Sequence, residues 1–283
     1  MVNRSWQFCP VLTSEQRLDV LDLLNRTEAL LSREAIDESR RRIVVHGWPA
    51  EHWLFYDDEG VLLRYAMLDG VDRCQVEMCG GGVDEELLTT ILSMRPSVEW
   101  WTRGEQRLPT QSATVLRTLQ LLSAPLPVAT TQVPEGAVLR NFVSGRDELQ
   151  WLSQNNAAFA DHPEQGAWSR ADLDERTHEP WFDPSGFLLL EIDGVIAASC
   201  WTKVHELHPD RFGEIYVISV HPGFQGRNLG RVMVTQGLDV LRRKGVNRAS
   251  LFVDETNDAA RALYESLGFT LLREDRLIRF DRI

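Results

Sequence analysis

Residues 221–230 read HPGFQGRNLG, between the apolar run EIYVISV (214–220) and a stretch with helical periodicity, GRVMVTQGLDVLRRKG (230–245). Two glycines, an asparagine and an arginine at one strand-to-helix junction exceed what a plain tight turn needs. A helix N-terminus presents N–H donors without intrahelical partners and carries a partial positive charge, so it attracts anions. A preceding loop that turns its own N–H groups inward makes a concave nest for phosphate. Such a loop needs residues that tolerate positive φ and no bulky side chain between backbone and ligand. Gly226 and Gly230 are read as supplying both properties. Asn228 stands where a third glycine would fit, asparagine being the non-glycine residue that best tolerates that conformation. Arg227 and Arg231 flank the nest with charge suited to phosphate. On spacing alone the loop suits a purely structural turn or a dinucleotide fold as well, although it matches neither G-x-G-x-x-G nor G-x-x-x-x-G-K-[ST].

Outward from the loop, the order is strand GFLLLEI (186–192), strand GVIAASCWTKVH (194–205), strand GEIYVISV (213–220), the loop, a helix over 229–244, strand RASLFVD (248–254), a helix over 257–267 and a last strand FTLLREDRLIRF (269–280). Alternating strands and helices imply an α/β sheet with helices on both faces. The first helix should bury Leu229, Val232, Met233, Leu238 and Leu241 and end at Gly245; the second should start at the cap Asn257 and end at Gly268. Upstream, SAPLPVATTQVPE (123–135) holds three prolines and no periodicity, and reads as a linker. The expected division is 1–124, a linker at 125–137, and 138–283. The halves repeat a plan: WLFYDDEGVLLRYAML (53–68) resembles FLLLEIDGVIAASCWT (187–202), each an apolar hairpin turned by an acidic residue and glycine. After CQVEMC (74–79), however, the first half has GGGVDEELLTTILSM (80–94), whose Asp84, Glu85 and Glu86 are ill suited to phosphate.

A net charge of −12 argues against a nucleic-acid partner, which needs a basic footprint. No run of about 18 apolar residues is present and the N-terminal MVNRSWQFCP lacks the apolar core of a signal peptide, so a cytoplasmic protein without a membrane partner is expected. Cys9, Cys74, Cys79 and Cys200 form no metal-spaced group and read as reduced, small apolar residues; no metal is expected.

The stretch Gln225–Gly230 resembles the Q-x-x-G-x-G/A loop of the GNAT acyltransferase superfamily, and the element order and the terminal NDAARALYESLGF (257–269) resemble that superfamily too. Within it, the second half resembles the mycothiol synthase family over nearly its whole length, in NNAAFADHPEQGAWS (155–169), EPWFDPSG (179–186), WTKVH (201–205), GEIYVISVHP (213–222) and YESLGF (264–269). Asn228 departs from the usual glycine. The resemblance implies two tandem GNAT-like α/β domains, each with a mixed, mostly antiparallel sheet, and an acetyl-CoA-dependent N-acetyltransferase. The implied reaction acetylates the cysteine amine of cysteinyl-glucosaminyl-inositol to give mycothiol. The partners are then acetyl-CoA and a small amine, and a monomer is expected.

The resemblance also assigns residues. The pyrophosphate of coenzyme A falls to Gln225, Gly226, Arg227, Asn228, Leu229, Gly230 and Arg231. Backbone groups of Ile218, Ser219 and Val220 would meet the pantetheine arm, and Asn257, Asp258, Ala259, Ala260, Arg261 and Ala262 the rest of the coenzyme. Glu214 falls at the family's base and substrate contact; by itself, a glutamate at a strand start reads as a solvated charge. Alternation places it on one face with Tyr216, Ile218 and Val220. Tyr264 matches the superfamily's proton donor to the thiolate, and by itself reads as a core aromatic. Glu179 and Lys203, plain surface charges otherwise, match substrate contacts. Glu34 in LSREAIDE (31–38) is the first-half candidate, and Phe252 stands where the family has a substrate-contacting tyrosine. His162 reads as shaping its loop beside Pro163, and Cys200 as core, not a nucleophile. Two rivals stay open: an N-acetyltransferase for another amine or a peptide N-terminus, suggested by Phe252, and a non-catalytic coenzyme A-binding regulatory module, suggested by Asn228.

Overall fold

The computed structural model describes residues 5–31, 34–69, 74–106, 108–109, 113–160, 166–206 and 211–282. The first half runs β1 (Gln7–Cys9), α1 (Ser14–Leu31), α2 (Glu38–His46), β2 (Glu51–Tyr56), β3 (Leu62–Asp69), β4 (Gln75–Cys79), α3 (Glu85–Met94), β5 (Ser97–Arg103) and β6 (Ala113–Pro125). The second runs β7 (Ala137–Asn141), α4 (Glu148–Ala158), α5 (Arg170–Thr177), β8 (Phe187–Ile192), β9 (Val195–His205), β10 (Phe212–Val220), α6 (Leu229–Arg243), β11 (Arg248–Asp254), α7 (Asp258–Ser266) and β12 (Thr270–Asp281). The fold is α/β, with a mixed, mostly antiparallel sheet: β4/β5 and β10/β11 are parallel, the other neighbours antiparallel. Among the described residues no helix is long and apolar enough to cross a membrane.

Helices cover both faces. Leu229, Val232, Met233, Leu238 and Leu241 are buried as their spacing predicts, and α6 joins α7 over one apolar cluster while Trp151 of α4 and Leu173 of α5 cover the other face. At Gly237 a Cβ would sit 2.5 Å from Cys200 Sγ, so glycine is what lets α6 approach β9 this closely. Both helices stop beside the glycines expected, Gly245 and Gly268, each at positive φ. The β8/β9 hairpin turns on Asp193 and Gly194, both at positive φ, as a two-residue turn requires.

The twelve described strands form one sheet, in the order β1-β2-β3-β4-β5-β12-β6-β11-β10-β9-β8-β7. The halves exchange their last strands. β6 pairs with β11, from Arg248↔Pro125 to Asp254↔Leu119, and β12 pairs with β5, from Asp275↔Arg103 to Asp281↔Ser97. Leu122 and Ala124 thereby enter the core of the second half, and Ile278 and Phe280 that of the first. Between the halves, residues 126–136 are tied down: the Thr131 N–H donates to Thr235 Oγ1 at 2.9 Å, and Leu126, Val128 and Val133 pack against the second core.

Candidate active site

Strands β10 and β11 pair at Gly213–Ala249 and Glu214–Ser250, and there the recorded ladder stops. Each strand continues along its other neighbour, β10 to Val220 beside β9 and β11 to Asp254 beside β6. The two inner edges therefore fork. Ile218, Ser219 and Val220 lie along one arm, where an extended, amide-bearing chain can add as a partial strand.

The sequence reading of faces needs correction at this point. A β-bulge between Ile215 and Val217 breaks the alternation. Tyr216 and Val217 both belong to the cluster under α4 and α5, while Ile218 and Val220 pack with α6. Glu214 thus does not share a face with Ile218 and Val220. The extra residue of a bulge shifts every later side chain by one position.

At the fork's open end, Gly226 has φ +76° and Asn228 φ +62°, ψ +16°. Asn228 is the N-cap of α6 and makes no side-chain capping bond, so the donors of the first turn are left to face outward. Gln225 to Asn228 are exposed, and Leu229 anchors the loop in the core. Arg227 lies over the Phe224 ring at 5.1 Å, and Arg231 donates to Ser266 Oγ at 2.5 Å. Gly230 departs from expectation: it sits inside α6 without positive φ, and an added Cβ would meet Leu263 only at 3.5 Å. Its contribution is bareness of surface, not backbone freedom. Asn228→Gly is expected to keep or lower the KM for acetyl-CoA, because glycine adopts the left-handed conformation without strain. Asn228→Val should raise it several-fold, because a β-branched residue is poorly accommodated there. If the glycine variant loses as much as the valine variant, the asparagine side chain is itself a ligand, one hydrogen bond being about 0.5–1.5 kcal/mol.

Glu214, the third residue of β10, lies on the face away from α6, and a cluster of charges from both halves gathers there. Lys203 is directly opposite it in the ladder. Its ammonium lies 3.0 Å from Glu34 Oε1, 3.1 Å from Glu38 Oε2 and 4.6 Å from the Trp181 ring centroid. Burial works to lower the Lys203 pKa, but the carboxylates of Glu34, Glu38 and Glu214 outweigh it and hold the ammonium well above the ordinary lysine value. The 34–38 turn is itself fixed from below. Arg103 donates to the Glu34 carbonyl at 2.6 Å, and Glu77 accepts from Arg103, Arg40 and the Asp37 N–H. Glu179 Oε1 lies 3.6 Å from Arg42 Nη1. The segment carrying Glu179 is pinned by Lys244–Asp183 at 2.8 Å and by Asn141 donating to the Ser185 carbonyl. The expected contacts Glu34, Glu179, Lys203 and Glu214 therefore lie around one junction of the two halves.

Sequence reasoning missed four neighbours. Glu38 bonds Lys203 and accepts from Trp181 Nε1 at 2.8 Å. Arg42, four residues on, is buried between Glu38, Glu175 and Glu179, and its Nη1, 3.5 Å from Glu38 Oε1, makes no hydrogen bond among the described residues. Tyr216 is kept protonated chiefly by burial, with Glu38 adding to it, and accepts from Arg176. His205 Nε2 lies 2.5 Å from Glu214 Oε2. Two signals were available: the i,i+2 pairing of Lys203 with His205 in WTKVH and the i,i+4 pairing of Glu38 with Arg42.

Tyr264 sits on α7, buried beside Phe269, in the cluster that also holds Ile218 and Val220. Burial raises its phenol well above the ordinary tyrosine value, with a smaller push from Cys200, so it stays a proton donor. Cys200 is fully buried and its thiol is pushed up to about 12, which suits a core residue and not a nucleophile. Asn257 caps α7, accepting from the Ala260 N–H at 3.1 Å; Asp258, Ala259 and Ala262 are exposed, and Ala260 and Arg261 half-buried. Phe252 is 45% exposed, two residues beyond Ser250, which pairs with Glu214. His162 lies outside the described residues.

The first half has its own fork, β4 and β5 pairing at Gln75–Glu99 and Val76–Trp100, and a cavity of about 230 Å³ opens there near Met78 and Gly81. Yet the N-terminus of α3 is already occupied by a carboxylate: Asp84 accepts from the Leu87 N–H and Trp6 Nε1 and pairs with Arg64. The position equivalent to the start of α6 holds an anion of the chain's own.

The model of the Acetyltransferase (GNAT) family matches residues 151–269. In overall fold the chain is similar to a tandem GNAT protein from the clavulanic acid biosynthesis pathway, with TM-score 0.69, 15% identity and 99% of each chain covered. It is also similar to a GCN5-related N-acetyltransferase from Sphaerobacter thermophilus, with TM-score 0.67, 18% identity, and 99% of this chain and 96% of that one covered. In sequence it is 37% identical to the mycothiol acetyltransferase of Streptomyces coelicolor over 98% of this chain and 95% of that protein. It is 40% identical to that of Thermobispora bispora over 81% and 83%. A forked sheet, a helix start with uncapped donors behind a left-handed Asn228, and relatives that match along both halves lead to one assignment: the chain is an N-acetyltransferase of the mycothiol acetyltransferase family, built on the tandem GNAT fold.

Proposed function

We propose that the protein transfers the acetyl group of acetyl-CoA to the cysteine amine of cysteinyl-glucosaminyl-inositol, forming mycothiol. The observation that carries this reading is the gathering of Glu34, Glu179, Lys203 and Glu214, from both halves, beside the β10/β11 fork. Ionised carboxylates are strong acceptors for an ammonium and for sugar hydroxyls. The 225–231 nest and its arginines hold the pyrophosphate, the 257–262 segment flanks the coenzyme, and Ile218 to Val220 hold the pantetheine arm. The second half alone carries this coenzyme site, since Asp84 fills the corresponding position in the first.

The thioester threads the fork, so its carbonyl meets the amine on the Glu214 side and its sulfur lies toward Tyr264. Glu214 accepts the ammonium proton, directly or through water. The freed amine attacks the carbonyl carbon, an N–H of the 218–220 arm stabilises the oxyanion, and the C–S bond breaks as the tetrahedral species collapses. Tyr264 gives its proton to the leaving thiolate and recovers one from solvent; the second proton of the attacking nitrogen passes to water as the amide forms, and Glu214 returns its own proton to solvent before the next turnover. No covalent enzyme intermediate is formed.

A panel of amines with acetyl-CoA tests this reading, with amide product followed by mass spectrometry. The cysteinyl pseudodisaccharide should be acetylated with kcat/KM about a hundredfold or more above free cysteine, which lacks the groups that Glu34 and Glu179 hold. Equal or better rates with a peptide N-terminus or another aminoglycoside would replace the substrate. Absence of coenzyme A release with every amine would make the chain a binding module.

A further inference from the structure

We infer that His205 is a positioning residue for Glu214: it holds one carboxylate oxygen so that the other faces the amine. This rests on Glu214 as the base.

His205 ends β9 on the face of Lys203, with its side chain 7% exposed. Its Nε2 lies 2.5 Å from Glu214 Oε2, and its Nδ1 lies 3.7 Å from Glu34 Oε1. The ring is stacked on Phe212, with centroids 4.6 Å apart and planes 11° from parallel, and Phe212 in turn carries the Arg248 guanidinium at 4.9 Å. Stacking fixes the plane of the imidazole, and the hydrogen bond to Glu214 fixes which edge points where. A core histidine is ordinarily satisfied by backbone or by one neighbour. This one has a carboxylate beside each ring nitrogen, one from each half of the chain.

A free glutamate rotates about its last bond and presents either oxygen, or neither, to the proton it must take. With Nε2–H donating to Oε2, that rotation is lost in advance and the other oxygen is the one offered. The bond is to an ionised acceptor, so it is of the stronger kind. No bond is made or broken at His205 during turnover: its proton stays on Nε2 while Glu214 gains and loses one.

Glutamine and asparagine separate this role from packing. Both lose the Phe212 stack, but a glutamine amide nitrogen reaches the position of Nε2, whereas the shorter asparagine reaches only that of Nδ1. His205→Asn should lower kcat by about tenfold or more with the KM for acetyl-CoA unchanged, and His205→Gln should recover most of that loss. In the Glu214→Gln background, His205→Asn should cost nothing further, because its effect passes through the missing carboxylate. Equal kcat for the asparagine and glutamine variants, or an added loss in the double variant, overturns the inference. Should His205→Asn fail to fold, a His205→Gln kcat no better than that of His205→Leu overturns it as well. If Glu214→Gln is slow while both His205 variants run at the wild-type rate, His205 alone is misassigned. If Glu214→Gln is itself as fast as wild type, the base assignment falls and this role falls with it.

Discussion

Glu214→Gln is expected to lower kcat by about a hundredfold or more and to leave the KM for acetyl-CoA nearly unchanged. Glutamine keeps the shape of the side chain, and its carbonyl oxygen still accepts from His205 Nε2, so the local packing survives. What it lacks is a site that takes a proton from an ammonium. The residue stands at the closed end of the fork, paired with Ser250, whereas the nest proposed for the pyrophosphate begins at Gln225 beyond the far end of β10, so the coenzyme should scarcely register the change. Lys203 loses one of its three neighbouring carboxylates but keeps the two that touch it, Glu34 and Glu38. The pH dependence separates a base from a bystander. With Glu214 as acceptor, the acidic limb of the kcat profile changes in the variant. A variant with wild-type turnover and the same acidic limb would reduce Glu214 to a charge at a strand start.

Local chemistry made the conformation of the 225–230 loop legible. Only a few residue types stand at positive φ, so an asparagine between glycines announced the conformation that Asn228 adopts. Asn257 announced a cap, and Asp-Gly a hairpin, for equally local reasons. The bulge at Tyr216 left no such mark. EIYVISV alternates well enough to read as regular, and the insertion shows only when its two ends are found packing on opposite faces. The strand exchange was hidden for a different reason. ATVLRTLQLLSAP (113–125) has the pattern of a half-buried strand, but pattern names the face and not the partner, and the partner lies more than a hundred residues away in β11 and β12. The charged junction was the least legible part. Glu34 is marked only by the family resemblance, and nothing local but their i,i+4 spacing marks Glu38 or Arg42; they become a site only because the exchanged strands hold the first half against the face that bears Lys203.

Lys203 supplies the second large effect, and one that tells apart its two possible roles. The ammonium is 7% exposed and lies within 3.1 Å of two carboxylates carried by the other half of the chain. Removing one partner of a buried ion pair costs about 3–5 kcal/mol, because the remaining charges are left uncompensated. Glu34 is 36% exposed, so solvent screens part of that repulsion, and about 3 kcal/mol is the fitting figure for Lys203→Met. In a chain of this size that corresponds to a fall in Tm of several degrees or more. Glu34, Glu38 and Glu214 would then repel one another across the junction, so the KM for the amine should rise while that for acetyl-CoA stays put. Neutralising Glu38 in the same molecule should recover part of the stability, since residues in direct contact are not additive and the coupling between them is typically about 0.5–3 kcal/mol. A lysine that served only as a substrate contact would behave otherwise: Lys203→Met would raise the KM for the amine, leave Tm where it was, and show no recovery with Glu38→Gln. Thermal denaturation of the wild type, both single variants and the double variant distinguishes the two, and an unshifted Tm in Lys203→Met would mean that its ion pairs with Glu34 and Glu38 do not hold the halves together.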